Sequence, residues 1–176
     1  MPGHGSYASG GAGTPAHLLG EMFSDTQGIT PTHVPYNVFS QGLIDTSTGR
    51  IQFMFGAAAG VIGHIQAGRM QALAVVAPER LPSLPDVPTM KELGYDKVDM
   101  LGWTAIVAKA GTDPAILETL SKQIGDILAT ADAQAYFSQI GDKAAQGVSA
   151  PDFSEFFNAE ASRWTEYVRS KGISIQ

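Results

Sequence analysis

Tyr7-Ala8-Ser9-Gly10-Gly11-Ala12-Gly13-Thr14-Pro15-Ala16-His17-Leu18-Leu19 decides how this chain is read. Its first residues suit the end of a short strand, its glycines a tight turn, and its last residues the opening of a helix. Thr14 is a good N-cap residue, and Pro15 falls at the first helical position, where a backbone N–H has no partner to lose. Gly10, Gly11 and Gly13 let the backbone approach a ligand closely. Bare amides at a helix N-terminus, backed by the positive end of the helix dipole, form an anion site. No Lys or Arg lies in the stretch. The expected guest is therefore held by neutral N–H and hydroxyl donors, which suits a carboxylate that has to be released again.

At 44% apolar and 16% charged the 176-residue chain is globular rather than disordered, with room for one ordinary domain or for one large and one partial domain. A formal net charge of −6 argues against nucleic acid as a partner, because phosphate binding needs a basic face. It leaves room for a small anion at a locally positive turn. The chain has no cysteine, so disulfides and thiolate metal sites are excluded. No apolar run approaches the roughly 20 residues that span a bilayer. Met1 to Ser6 (MPGHGS) has neither the charged start nor the apolar core of a signal peptide, and reads as an added leader.

Short apolar segments alternate with amphipathic ones, which predicts an α/β fold with a parallel or mixed sheet and right-handed crossovers. Leu19, Met22 and Phe23 share a helical face closed by Gly28. Residues 32–36 read as a strand, and a helix through Phe39, Leu43 and Ile44 ends near Gly49. Residues 51–55 read as a strand buried on both faces. Val61, Ile62 and Ile65 belong to a short helix stopped by Gly68, and residues 70–77 are the most strand-like of all. Four prolines between Pro78 and Pro88 mark an extended loop. Thr89 and Glu92 have the spacing of a capping box, with Gly94 as a helix stop. Trp103 to Ala108 reads as a strand, and Asp113-Pro114 opens a helix with Leu117, Leu120, Ile124, Ile127 and Leu128 on one stripe. Tyr136, Phe137 and Ile140 form a second stripe. Ser149 caps a last helix whose Phe153, Phe156, Phe157, Ala161, Trp164, Tyr167 and Val168 share a core-packing side. The pattern shifts near residue 100, from βαβ to mostly helix.

Gly11 to Ala16 fits the dinucleotide spacing G-x-G-x-x-G/A, but the second strand, Thr32-His33-Val34-Pro35-Tyr36, lacks the acid that would hold a ribose. No Lys follows the glycines, so a phosphate-binding Walker loop is excluded. His4, His17, His33 and His64 have no metal-site spacing. Ser9 is not set in G-x-S-x-G, and no His–Asp pair is indicated by order or spacing. Ser9 and Thr14 are read either as hydroxyl donors to a ligand or as caps of their own tight turn. His17, one turn into the helix, either makes a local hydrogen bond or faces the anion site.

Several segments together resemble the Bug-type extracytoplasmic solute receptors, the substrate-binding component of tripartite tricarboxylate transporters. They are Tyr7-Ala8-Ser9-x-Gly11-x-Gly13-Thr14 with His17-Leu18, His33-Val34-Pro35-Tyr36, Ala67-Gly68-Arg69-Met70-Gln71-Ala72-Leu73-Ala74-Val75, Glu79-Arg80 with Leu84-Pro85-Asp86-Val87-Pro88-Thr89, Glu92-Leu93-Gly94-Tyr95, and Trp103 followed by Ala110-Gly111-Thr112. The resemblance implies a periplasmic-binding-protein-like (type II) fold of two α/β lobes closing on a small carboxylate, without catalysis, metal or cofactor. It implies that residues 7–100 form the second lobe, that 101–176 are a crossover strand and helices returning to the first lobe, and that most of the first lobe is missing. The membrane subunits of the transporter are the implied partners, and the periplasm the implied location.

By the same resemblance Ser9, Gly11, Gly13 and Thr14 match a carboxylate clamp and Pro35 and Tyr36 a second loop at the cleft, and the expected ligand-binding set adds their neighbours Gly10, Ala12, His17 and Asn37 and a third loop at Gly56 and Ala57. Two positions depart from the family pattern. Asn37-Val38 stands where a Gly is common, and Gly56-Ala57-Ala58-Ala59 stands where many members carry a polar or acidic residue. Against so apolar a wall an unpaired ammonium is costly, so the expected ligand is an organic or aromatic carboxylate without an amino group. The competing classes are an α/β enzyme, nucleotide-dependent or a Ser9 hydrolase, and an inert half-receptor. Helices packed on a missing lobe would leave apolar stripes open, so a homodimer or a domain swap is expected.

Overall fold

The computed structural model describes residues 5–100, 102–140, 142–144 and 150–174. The chain divides into two units, Met1–Gly102 with Ile173–Gln176, and Trp103–Gly172.

The first unit is built around β1 (Ser6–Ser9), whose Tyr7, Ala8 and Ser9 are almost fully buried. A Pro-initiated helix, α1 (Pro15–Gln27), follows the glycine turn and ends where Gly28 takes the left-handed conformation. Then come β2 (Thr32–Pro35), α2 (Phe39–Ser47), β3 (Phe53–Met54) and α3 (Ala58–Gln66). The strands are parallel in the order β2-β1-β3, with Tyr7 opposite both His33 and Phe53. The path therefore steps from β1 to one neighbour and then crosses back to the other. Right-handed crossovers in opposite directions require helices on opposite faces, and two glycines show it. A Cβ on Gly20 of α1 would overlap the Tyr7 ring, whereas one on Gly42 of α2 would lie 3.4 Å from the Ala8 Cβ. Adjacent residues of a strand point to opposite faces, so α1 covers one side of β1 and α2 the other.

Several expectations need correction. Gly5 and Ser6, expected to end a leader, take part in the fold: the Thr32 N–H donates to Gly5 O at 2.8 Å, and Ser6 pairs with Thr32. Residues 1–4 lie outside the described residues. The strand expected over 51–55 shortens to β3, half-buried, because it pairs on one side only. Residues 70–77 form no strand, and their one ladder contact is an isolated bridge from Val75 to Thr89. The capping box at Thr89 does form. The Thr89 N–H donates to Glu92 Oε2 at 2.7 Å and the Glu92 N–H to Thr89 Oγ1 at 3.0 Å. It closes a run of turns instead of a helix, since Gly94 (φ +83°) stops the segment before helix nucleation is repaid. Arg80 ties the proline loop to the same place, through Glu92 Oε1 at 3.0 Å and Pro85 O at 3.1 Å.

The second unit is helical: α4 (Pro114–Leu128), α5 (Ala131–Gln139) and α6 (Ala150–Ser170). Asp113 caps α4 and Thr130 caps α5 through side-chain bonds to Ala115 N and Ala133 N. The expected Ser149 cap lies outside the described residues. Residues 103–108 are irregular, not a strand, and Ile106 and Val107 are 75% and 81% exposed. Trp103 instead meets Phe153, Phe156 and Phe157 of α6 edge-on, at centroid distances of 5.7–5.9 Å. The apolar stripe of α4 buries no residue.

Candidate functional site

Three parallel strands run the same way, so the loops leaving their carboxyl ends share one edge of the sheet. These are residues 10–14 after β1, 36–38 after β2 and 55–57 after β3. Every residue of the sequence-derived set falls on this edge or on the first turn of α1. The glycine turn sits in the middle, beside the point where the crossover direction reverses, which is where open α/β sheets bind ligands.

The helices α1, α2 and α3 all begin here, and their N-cap residues Thr14, Val38 and Ala57 make no side-chain cap hydrogen bond. Among the described residues, the amides of Gly10, Ala12, Ala16 and His17 have no protein acceptor. Gly10 and Ala12 are exposed. Uncapped N-termini converging on one edge supply donors and positive dipole ends for an anion. In α4 and α5 a side-chain cap takes up one of these donors, through Asp113 and Thr130.

Other donors in the set are already engaged. Gly11 N–H donates to Ser9 Oγ at 3.0 Å, Gly13 N–H to His17 Nδ1 at 3.0 Å, and Thr14 N–H and Oγ1 to Gly11 O at 3.3 and 2.8 Å. Ser9 is 2% exposed, and its Oγ also lies 3.1 Å from Gly11 O and 2.6 Å from His33 Nε2. Ser9 and Thr14 thus brace the turn from inside, which is the second of the two sequence readings. Two amides expected to be bare, those of Gly11 and Gly13, are used to hold the loop. Tyr36 is also committed: its N–H donates to Ser9 O at 2.9 Å and its hydroxyl to Asp45 Oδ2 at 2.8 Å. The Tyr36 hydroxyl, then Arg50, hold the Asp45 carboxyl below the ordinary carboxylate range, while burial and then the Asp45 carboxylate raise Tyr36. Pro35, Asn37, Gly56 and Ala57 are exposed along the edge.

Glu21 and Asp45 escaped the sequence reading, and His33 entered it only as a histidine without metal-site spacing and as part of a resembling segment. His33 is the Tyr7 partner across the parallel pair, a register no local pattern reveals. A Ser–His pair invites comparison with a nucleophile and its base. However, the Ser9 hydroxyl is buried, and among the described residues no carboxylate bonds the other ring nitrogen of His33. Burial lowers the pKa of both His17 and His33, so both rings are neutral near pH 7. Among the described residues no group of three His, Asp or Glu could hold a metal, and no helix is long and apolar enough to cross a membrane.

A parallel α/β sheet with uncapped helix starts gathered at its carboxyl edge offers backbone donors that suit an anion. The chain belongs to the tripartite tricarboxylate transporter family receptors, whose profile it matches over residues 1–173. Protein BugT of Bordetella pertussis is 32% identical over 99% of this chain and 53% of its own length. Among solved structures, R. palustris Rpa4515 with adipate matches at 27% identity and a TM-score of 0.86, over 96% of this chain and 56% of that one. Periplasmic binding protein BugD matches at 26% and 0.85, over 97% and 57%. The fold is accordingly periplasmic-binding-protein-like, and the chain spans about half the length of the relatives it matches.

Proposed function

We propose that the chain is the carboxylate-holding part of an extracytoplasmic solute receptor, working in the periplasm and delivering its ligand to the membrane subunits of a tripartite transporter. Residues 7–100 act as one lobe of the cleft, and the segment 101–176 as the crossover and helices that complete the partner lobe. The carrying observation is the set of unpartnered amides at Gly10, Ala12, Ala16 and His17, on an edge where α1, α2 and α3 all start uncapped. The adipate held by the R. palustris relative agrees with a guest of this class. Capture works by neutral donors, so no buried countercharge has to be separated on release, and lobe closure reports occupancy to the transporter. The small residues Gly56 and Ala57 leave room for a carbon body and offer no acid to an ammonium, which favours organic or aromatic carboxylates over amino acids. The exposed apolar residues of the second unit support self-association as a dimer or domain swap.

Calorimetry with adipate, benzoate and glutamate tests the reading. Adipate or benzoate should bind and glutamate should bind more weakly. Preference for glutamate would overturn the ligand class, and ester hydrolysis abolished by Ser9→Ala would move the protein to the enzymes. Failure of all three acids to raise thermal stability would leave the inert half-receptor.

A further inference from the structure

Behind the glycine turn lies a cluster that carboxylate capture itself does not use. The rings of His17 and His33 stack at a centroid distance of 4.0 Å and 12° between planes, with Tyr7 5.0 Å from His33. Each ring reaches the turn. His17 Nδ1 accepts from Gly13 N–H, and His33 Nε2 meets Ser9 Oγ, the atom that accepts from Gly11 N–H. Gly11 and Gly13 both have positive φ, 119° and 75°. The turn is therefore held in a conformation that costs backbone entropy, and of its glycine amides the Gly13 N–H ends on His17 itself, while the Gly11 N–H ends on Ser9 Oγ, which His33 meets.

We propose that His17 and His33 are positioning residues, a proton-sensitive pair that keeps the turn in its ligand-receiving form while both rings are neutral and lets it go when one takes up a proton. This rests on the carboxylate reading of the same edge. The Gly13 N–H requires a lone pair on His17 Nδ1, so the neutral ring carries its proton on Nε2, which faces Glu21 Oε1 at 3.8 Å. A proton added to Nδ1 sets one donor against another and breaks the bond. The groups facing the pair are few among the described residues: from β1, Tyr7, whose hydroxyl donates to Glu21 at 2.6 Å; from α1, Glu21; and from β3, the uncharged Phe53, stacked on Tyr7. Glu21 favours protonation, but it already accepts from Tyr7, and burial outweighs it at both rings. Stacked rings resist a second charge, so the pair takes up one proton first.

The test reads the turn with and without ligand. In ligand-free protein, the nuclear magnetic resonance of the Gly13 amide should shift with the same midpoint as the His17 ring, below the ordinary histidine value. Adipate affinity should fall between pH 7.5 and 5.5, by less than about tenfold, the limit for one proton taken up below the ordinary histidine value. His17→Asn keeps an acceptor near Nδ1 but cannot take a proton there. Whatever its affinity at pH 7.5, it should lose most of the pH dependence of adipate binding, with the remainder removed by adding His33→Gln. A Gly13 amide that ignores the His17 midpoint, or variants that keep the wild-type pH profile, would overturn the proposal. If adipate does not bind at pH 7.5, the carboxylate reading fails while the ligand-free Gly13 titration still decides the histidine pair. That titration also decides it if His17→Asn does not fold.

Discussion

At the scale of single residues, the lobe depends on how closely α1 approaches β1. Gly20 has no side chain where the Tyr7 ring lies, and a Cβ there would sit 2.6 Å from Tyr7 Cζ. Tyr7 is fully buried, is bonded to Glu21, and has Phe53 and His33 stacked against it, so it has no room to yield. Gly20→Ala should therefore destabilise the first unit by about 1–3 kcal/mol, the usual cost of overpacking, despite the better helix propensity of alanine. Gly63 of α3 is the control, because a Cβ there meets nothing within 4 Å. Gly63→Ala should stabilise by roughly 0.5–1 kcal/mol. Denaturant unfolding of both variants checks the pair, and equal effects would mean that α1 is not packed against Tyr7 in this way.

At the scale of elements, the alternation from β1 to α3 was legible because each helix carries its own punctuation: Pro15 and Gly28 around α1, Gly49 after α2 and Gly68 after α3. Residues 70–77 and 103–108 were misread for one shared reason. Strand propensity describes a side chain suited to a pleated surface, and it needs a neighbouring edge to become a strand. Val75 found only a bridge to Thr89, and the residues from Trp103 to Ala108 found no ladder. The turn after β1 was legible from its glycines, and the loop after β2 drew notice only through the family resemblance, but which amides stay open was not legible. That depends on His33 reaching Ser9 across 24 positions, and on the His17 ring turning back to Gly13. The capping box shows the converse, a local motif that formed without its helix. Its Glu92 carboxyl is held down to about 2 from an ordinary 4.5, chiefly by Arg80 and then by the Thr89 amide. A depressed carboxylate contributes stability above its unfolded value and loses it as pH falls through the folded one. Thermal stability should thus decline between pH 4.5 and 2 in wild type. Glu92→Gln should flatten that decline while lowering stability at pH 7, and an unchanged acid limb would place the loss on other carboxylates.

At the scale of the whole molecule, the two units differ in how completely they bury their apolar residues. The first encloses Tyr7, Ala8, Leu18, Leu19, Leu43 and Ile51 around its central strand. The second leaves Ile106, Val107, Ile116, Ile127 and Tyr136 more than half exposed, and none of the α4 stripe is buried. Apolar side chains left open in this way favour association. Light scattering at rising concentration should show a dimer or larger species. Ile116→Glu with Ile127→Glu, both on exposed positions of one helix, should shift it towards monomer without loss of helicity, because neither side chain supports the fold from inside. A monomer at all concentrations would refute self-association. Persistence of the dimer in the double variant would move the interface off α4, with residues 103–108 as the next segment to change.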